Sequence, residues 1–319
     1  MEDHRKAEIE NWGKTLLFII GKFLDAPIER ILNIKQSQAY NNQFKTLKKD
    51  QFKGYIEITK DIYTKQGGFR QFWRGYPAIG PQALALYIAH SNQVTNGELL
   101  YKYLRFIGFE DNFQFTSYLL FQLFNQTALT VLAYPFHLIN VKLNQEIGTT
   151  QQSRQFVSFK DAFRRLHYQT YDSLGVQQTY YRGVGSFLLT CMIYNQSFSL
   201  YNRLVHSFFS KLNKLEQNEQ PNEFLKRKRN VMLNIALLMG APIVTFLSYP
   251  FELVYRIQIA IMNQKQKQLN IIETFQDIIK KNGYKGLYNG VVLCNFRNLI
   301  FLFMNSLYGG ISKKQSKEI

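Results

Sequence analysis

Two cysteines in 319 residues, Cys191 and Cys294, are too few for a disulfide framework. Each lies in an apolar run, where a buried free thiol is the expectation. Five scattered histidines offer no metal-ligand spacing, and no phosphate-binding loop or nucleophile triad is visible, so no enzyme is predicted. Acids are scarce as well. With 22 Asp and Glu against 39 Lys and Arg, the net charge of +17 predicts an anionic neighbour. The first ten residues hold acids and no apolar run, so no cleavable signal is expected. The basic strings RRLHYQTY and KRKR fall in a helical pattern and just before an apolar run, so they argue for membrane anions rather than nucleic acid.

Apolar residues are abundant. Hydrophobic side chains make up 46% of the chain, with 27 Phe and 20 Tyr, yet the mean hydropathy is -0.23. The apolar runs cover residues 16 to 32, 81 to 89, 115 to 136, 185 to 201, 231 to 255 and 290 to 308. Most approach the roughly 20 residues that span a bilayer. All are interrupted by polar or charged residues, a pattern suited to helices with one face on lipid and one on a polar interior. A soluble bundle is the alternative, and internal repetition argues against it.

Pro27, Pro135 and Pro250 each fall near the end of an apolar run. Each is followed by a short helical pattern: FKGYIEITKDIYTKQGG, RQFVSFKDAFRRLHYQ and LNIIETFQDIIKKNGYKG. Then come FWRG, YYRG and LYNG, ending at Gly75, Gly183 and Gly290. The unit reads as long helix, short amphipathic helix, long helix, about 100 residues per copy. Proline opens the backbone ladder and kinks a helix, so three such kinks predict helices bent toward a shared polar axis.

PIER, QFKGYIEITKDIYTKQGGFRQFWRG, PQAL, the two YPF segments and KNGYKGLYNG resemble the mitochondrial carrier family, and PIER within DAPIER is most similar to the ADP/ATP carriers. The resemblance implies an all-α membrane protein with six transmembrane helices in three pseudo-threefold repeats and three short matrix-side amphipathic helices. It divides the chain into repeats at 11–107, 108–210 and 230–312, with a connector at 211–229. It also implies a multi-pass protein of the mitochondrial inner membrane with both termini toward the intermembrane space.

The family's matrix gate pairs acids and bases of neighbouring helices. Here the acidic positions are Glu29, His137 and Glu252, and the basic ones Leu32, Asn140 and Tyr255. The implied contacts are Glu29 with Asn140, His137 with Tyr255 and Glu252 with Leu32, none a normal salt bridge. Lys35, Lys142 and Arg256 stand near enough in sequence to compensate. The opposite gate is reduced to His90, Asn202 and Asn305 at acid positions and Gln93, Val205 and Tyr308 at base positions.

The resemblance implies solute contacts at Lys22, Tyr194 and Arg297, where cations would hold phosphate and a ring would stack on a base. Asn195 stands where an arginine is expected. It also implies bound cardiolipin, a structural lipid rather than a cofactor. Its sites would be Lys53 and Gly54, the segments Trp73, Arg74, Gly75 and Tyr181, Arg182, Gly183, and Tyr288 with Gly290. A retained fold with missing gates predicts a structural or assembly subunit of an inner-membrane complex with little transport activity. The alternative is an antiporter of adenine nucleotides or another anionic solute.

Overall fold

Helix α1, Glu2–Ser37, carries Pro27 inside it. A proline has no N–H for the carbonyl four residues back, which here belongs to Phe23. The Trp73 indole fills the gap, its Nε1–H donating to the Phe23 carbonyl at 2.8 Å. The Trp73 ring also stacks on Phe23, so an aromatic from the following segment satisfies and covers the kink.

The computed structural model describes residues 2–41, 52–84, 127, 132–148, 153–169, 179–216, 223–261 and 269–300. After α1 come α2 (Tyr55–Lys65), two 3₁₀ turns (Phe69–Trp73 and Tyr76–Ala78) and a short helix α3 over 79–84. Helix α4 covers 132–145, α5 Phe159–Gln169, α6 Val184–Glu216 and α7 Glu223–Ala260. Then follow α8 (Ile271–Asn282), a 3₁₀ turn (Tyr284–Tyr288) and α9 over 291–300.

Three buried clusters hold these helices. Ile34 of α1 packs with Ile58 and Ile62 of α2, with Phe72 and with Ile147 just beyond α4. Leu138 and Ile139 of α4 pack with Ala162 and Leu166 of α5, and with Tyr255 and Ile259 of α7. Leu253 and Ile257 of α7 pack with Ile278 of α8, Leu287, Cys294 and Leu32 of α1. Each short helix thus buries its apolar face on the end of the long helix before it, as its amphipathic spacing dictates. The long pair α6 and α7 meets where the Tyr201 ring covers Gly240; a Cβ at Gly240 would lie 2.4 Å from that ring.

Arg30 is fully buried. It donates to the Leu143 carbonyl at 3.1 Å, the Glu146 carbonyl at 3.0 Å and Gln66 Oε1 at 2.6 Å. A cation at a helix C-terminus offsets both the unpaired carbonyls and the dipole, so Arg30 fastens α1 to the end of α4. Helix α8 starts with a capping box: Asn270 Oδ1 accepts from the Glu273 N–H at 2.8 Å, and Glu273 Oε2 accepts from the Asn270 N–H at 2.9 Å. Asn270→Ala is expected to cost about 1 kcal/mol in denaturant unfolding. A change below the error of the measurement would show that tertiary packing alone sets this helix start.

The all-α reading stands, but two expectations are corrected. Among the described residues one stretch, Val231–Ala260 of α7, is long and apolar enough to cross a bilayer, not six. The reason is the polarity of the other long helices. Lys22, Asp25, Glu29 and Arg30 crowd α1, while Asn195, Gln196, Asn202 and Arg203 dilute α6. Six transmembrane helices in three pseudo-threefold repeats are therefore not the observed architecture, and a multi-pass inner-membrane topology does not fit a single such stretch.

Candidate functional site

Helices α1, α3, α4, α6, α7 and α9 surround a cavity of about 290 Å³. Lys22, Tyr194 and Arg297 all line it, as do Glu29, His137 and Glu252. The cations there are already engaged. Lys22 Nζ lies 3.4 Å from Asp25 Oδ2 and 3.4 Å from Glu29 Oε2. Arg297 reaches Glu252 at 3.0 Å, and Arg256, one helical turn beyond Glu252 on α7, reaches it at 2.7 Å. Arg256 also donates to Asn33 Oδ1 on α1 at 2.7 Å, and the Cys294 thiol donates to Glu252 Oε2 at 3.3 Å. One carboxylate therefore gathers α7 and α9, and Arg256 extends the network to α1.

Charge follows this pairing. Burial works against the Lys22 ammonium, but Glu29 and Asp25 outweigh it and raise its pKa. Burial also works against the Glu29 carboxylate, while Lys22, Arg256 and Arg297 hold its pKa well below the usual range. Burial pushes the His137 imidazole well down; Glu29 opposes it, and Lys22, Arg256 and Arg297 add to it. For Asp25, burial outweighs Lys22 and leaves the carboxyl above its ordinary value.

The gate positions have these surroundings. Asn140 Oδ1 accepts from Asn144 Nδ2 at 2.9 Å, and both side chains lie against Gly75. The Glu29 carboxylate meets Lys22 at 3.4 Å. His137 and Tyr255 rings are 5.7 Å apart, with Phe187 4.7 Å from the imidazole. Leu32 is fully buried among Tyr249, Leu253 and Cys294. Of the three neighbouring cations, Arg256 reaches Glu252. Lys35 donates to the Phe52 and Lys53 carbonyls at 2.9 and 3.1 Å, and Lys142 to the Ala260 carbonyl at 3.5 Å. Asn202 and Val205 lie on α6; His90, Gln93, Asn305 and Tyr308 lie outside the described residues.

The glycine segments also turn inward. Arg74 is half-buried, its side chain bonded to the Phe156 carbonyl and 3.8 Å from Glu146. Tyr134 donates its hydroxyl to the Arg182 carbonyl, and Tyr249 donates to the Asn289 carbonyl. Tyr181 stacks on Tyr134, and Tyr288 stacks on Phe246. Gly183 and Gly290 take φ of 77° and 101°, where glycine is favoured. Gly54 caps the start of α2 beside the exposed Lys53.

Sequence reasoning missed Asp25 and Gln82, both buried in the cavity wall. Asp25 carries its own signal: an acid one helical turn from Lys22, on the same face of an apolar run.

Residues 232–315 match the family model described as mitochondrial carrier protein. The match takes in most of α7, then α8, the 3₁₀ turn and α9. It corresponds to one carrier repeat and not to a full three-repeat transporter. No curated protein matches the chain. The carrier match includes Glu252, Arg256 and Arg297, so half of the charged network belongs to the carrier segment. Among the described residues no group of three or more His, Cys, Asp or Glu is placed to hold a metal.

Proposed function

We propose that this chain is a carrier-related structural or assembly component of a membrane-associated protein complex, with little solute exchange of its own. The charged network inside the cavity carries this reading. An exchanger needs contacts that form in one state and break in another. Here the cations that would meet an anion are paired with buried acids; the Glu252 pairs join α7 to α9, and the Arg256–Asn33 hydrogen bond adds α1. Breaking a buried pair leaves an uncompensated charge, which is a poor basis for a cycle of opening. Exposed apolar side chains on α6 and α7, among them Leu204, Phe208 and Met239, supply a surface for a partner or lipid.

Purification from native membranes followed by mass measurement tests the proposal. A stable heteromeric assembly is expected, and a solitary species at monomer mass would overturn it. In cardiolipin-containing vesicles, the purified chain is expected to show little exchange of ADP, ATP or phosphate. The second reading, exchange of adenine nucleotides or another anion, draws on Lys22, Tyr194 and Arg297 lining one cavity. Robust, saturable exchange that is lost in Lys22→Ala and Arg297→Ala would establish that reading instead.

A further inference from the structure

Helices α6 and α7 continue past the buried clusters that hold the rest of the fold. Ser186 Oγ donates to Gln258 Oε1 at 2.8 Å and the Tyr201 hydroxyl to the Ala236 carbonyl at 2.8 Å, with the Tyr201 ring over Gly240, so the pair runs antiparallel. Tyr201 thus lies level with 236–240. Equal rise along both helices then sets Phe208, seven residues on, level with 229–233, and Lys211, ten residues on, level with 226–230.

The chemistry changes at the same level on both helices. Leu204 and Phe208 of α6 and Val231 and Ile235 of α7 form an apolar level, each of them more than half exposed. Beyond it come Lys211 and Lys214 on α6 and Lys226, Arg227, Lys228 and Arg229 on α7, with no acid in 204–215 or 224–231. The α7 bases stand just before Val231, where the stretch that is long and apolar enough to cross a bilayer begins. All four fall within about 8 Å of axial rise from Val231, and a headgroup layer is about 5–8 Å thick on each side of the hydrocarbon. Four consecutive helical positions, turned about 100° from one another, also go most of the way round the helix. A protein docked on one face leaves part of such a ring unanswered, and a nucleic acid leaves the apolar level bare. Headgroups surround a helix and meet both.

We propose that these ends of α6 and α7 form a binding site for anionic phospholipid: headgroup phosphates meet the six bases, and acyl chains cover the apolar level below them. The site stands apart from the glycine segments, since Gly183 and Gly290 lie against Tyr255 and Tyr249, toward the other end of α7. It goes beyond the structural role, because lipid is held here with or without a protein partner.

Native mass spectrometry of the purified full chain, given phosphatidylglycerol and phosphatidylcholine in equal amounts, tests the site. Preferential retention of phosphatidylglycerol is expected. Each base near an anionic surface is worth about fivefold, so the variant Lys226→Gln, Arg227→Gln, Lys228→Gln, Arg229→Gln should weaken that retention by about a hundredfold or more. A second variant, Lys60→Gln, Lys65→Gln, Lys280→Gln, Lys285→Gln, removes the same charge from exposed positions on α2, α8 and the turn after it, and should weaken it little. Lys211→Gln, one change at an exposed position of α6, should weaken it by about fivefold and decides the matter if the first variant does not fold. Equal retention of the two lipids by the unaltered chain would overturn the assignment, as would equal losses in the two fourfold variants or no loss in Lys211→Gln. Loss of a co-purifying protein with lipid retention unchanged would give these helix ends to a protein partner instead. A solitary monomer in the mass measurement of the preceding test leaves this one untouched.

Discussion

Glu252→Ala is expected to destabilise the chain by about 3–5 kcal/mol, because it strands the buried Arg256 guanidinium and the half-buried Arg297 guanidinium at once. An internal comparison makes the test sharp. Glu252 and Arg256 meet at 2.7 Å one turn apart on α7, with side chains 6% and 1% exposed. Asp277 and Lys281 meet at the same 2.7 Å and the same spacing on α8, with side chains 25% and 51% exposed. Water screens the second pair, so Asp277→Ala should cost at most about 0.5–1 kcal/mol. Distance and register are equal, so the difference reports burial together with the second partner of Glu252, Arg297. Unfolding in denaturant, followed by tryptophan fluorescence, gives both numbers. Equal losses for the two variants would refute the claim that the cavity network is a buried, uncompensable unit.

The second large effect is expected at Gly290. Its φ is 101°, and a Cβ there would lie 2.6 Å from the Tyr249 hydroxyl and 2.7 Å from Leu32 Cδ1. Backbone strain and overpacking act together, so Gly290→Ala should cost about 2–4 kcal/mol. Gly80 supplies the opposite sign. It is exposed on α3, and a Cβ there meets nothing within 4 Å. Gly80→Ala should therefore be neutral or stabilise by up to about 1 kcal/mol, through lower chain entropy in the unfolded state. A melting series on the two variants checks both signs. Destabilisation of similar size in both would remove the steric account of Gly290.

The short helices were legible in the sequence because each carries its own signal. IIETFQDIIKKNG shows apolar spacing, a cap residue before it and glycine after it, and α8 runs Ile271–Asn282 with Asn270 and Gly283 at its ends. Pro27 announced its kink, but nothing local announced that Trp73 would fill the carbonyl left open. That bond joins positions 50 residues apart, so it belongs to tertiary structure. Glu252 was legible as a buried acid and Arg256 as a nearby cation; Arg297 as its second partner was not. The span count went astray for a physical reason. Apolar runs broken by Lys22, Asp25, Glu29 and Asn195 suit a polar interior as well as a bilayer, and among the described residues mean hydropathy separates the two only at Val231–Ala260. Asp25 is hidden by its neighbour: a lysine that meets an anion calls for no acid one turn away, yet Asp25 pairs with Lys22.

The Tyr249 hydroxyl accepts from Gln36 Nε2 at 2.7 Å and donates to the Asn289 carbonyl. One oxygen atom thus joins the end of α1, the body of α7 and the turn before α9. Both bonds sit off the axis of α7, so twisting that helix shears both of them together. The joint transmits torque: α7 cannot turn like a free axle without dragging α1 and the turn with it. A helix held this way behaves as a gear whose teeth are engaged on two sides, and its motions are those of the whole three-part train.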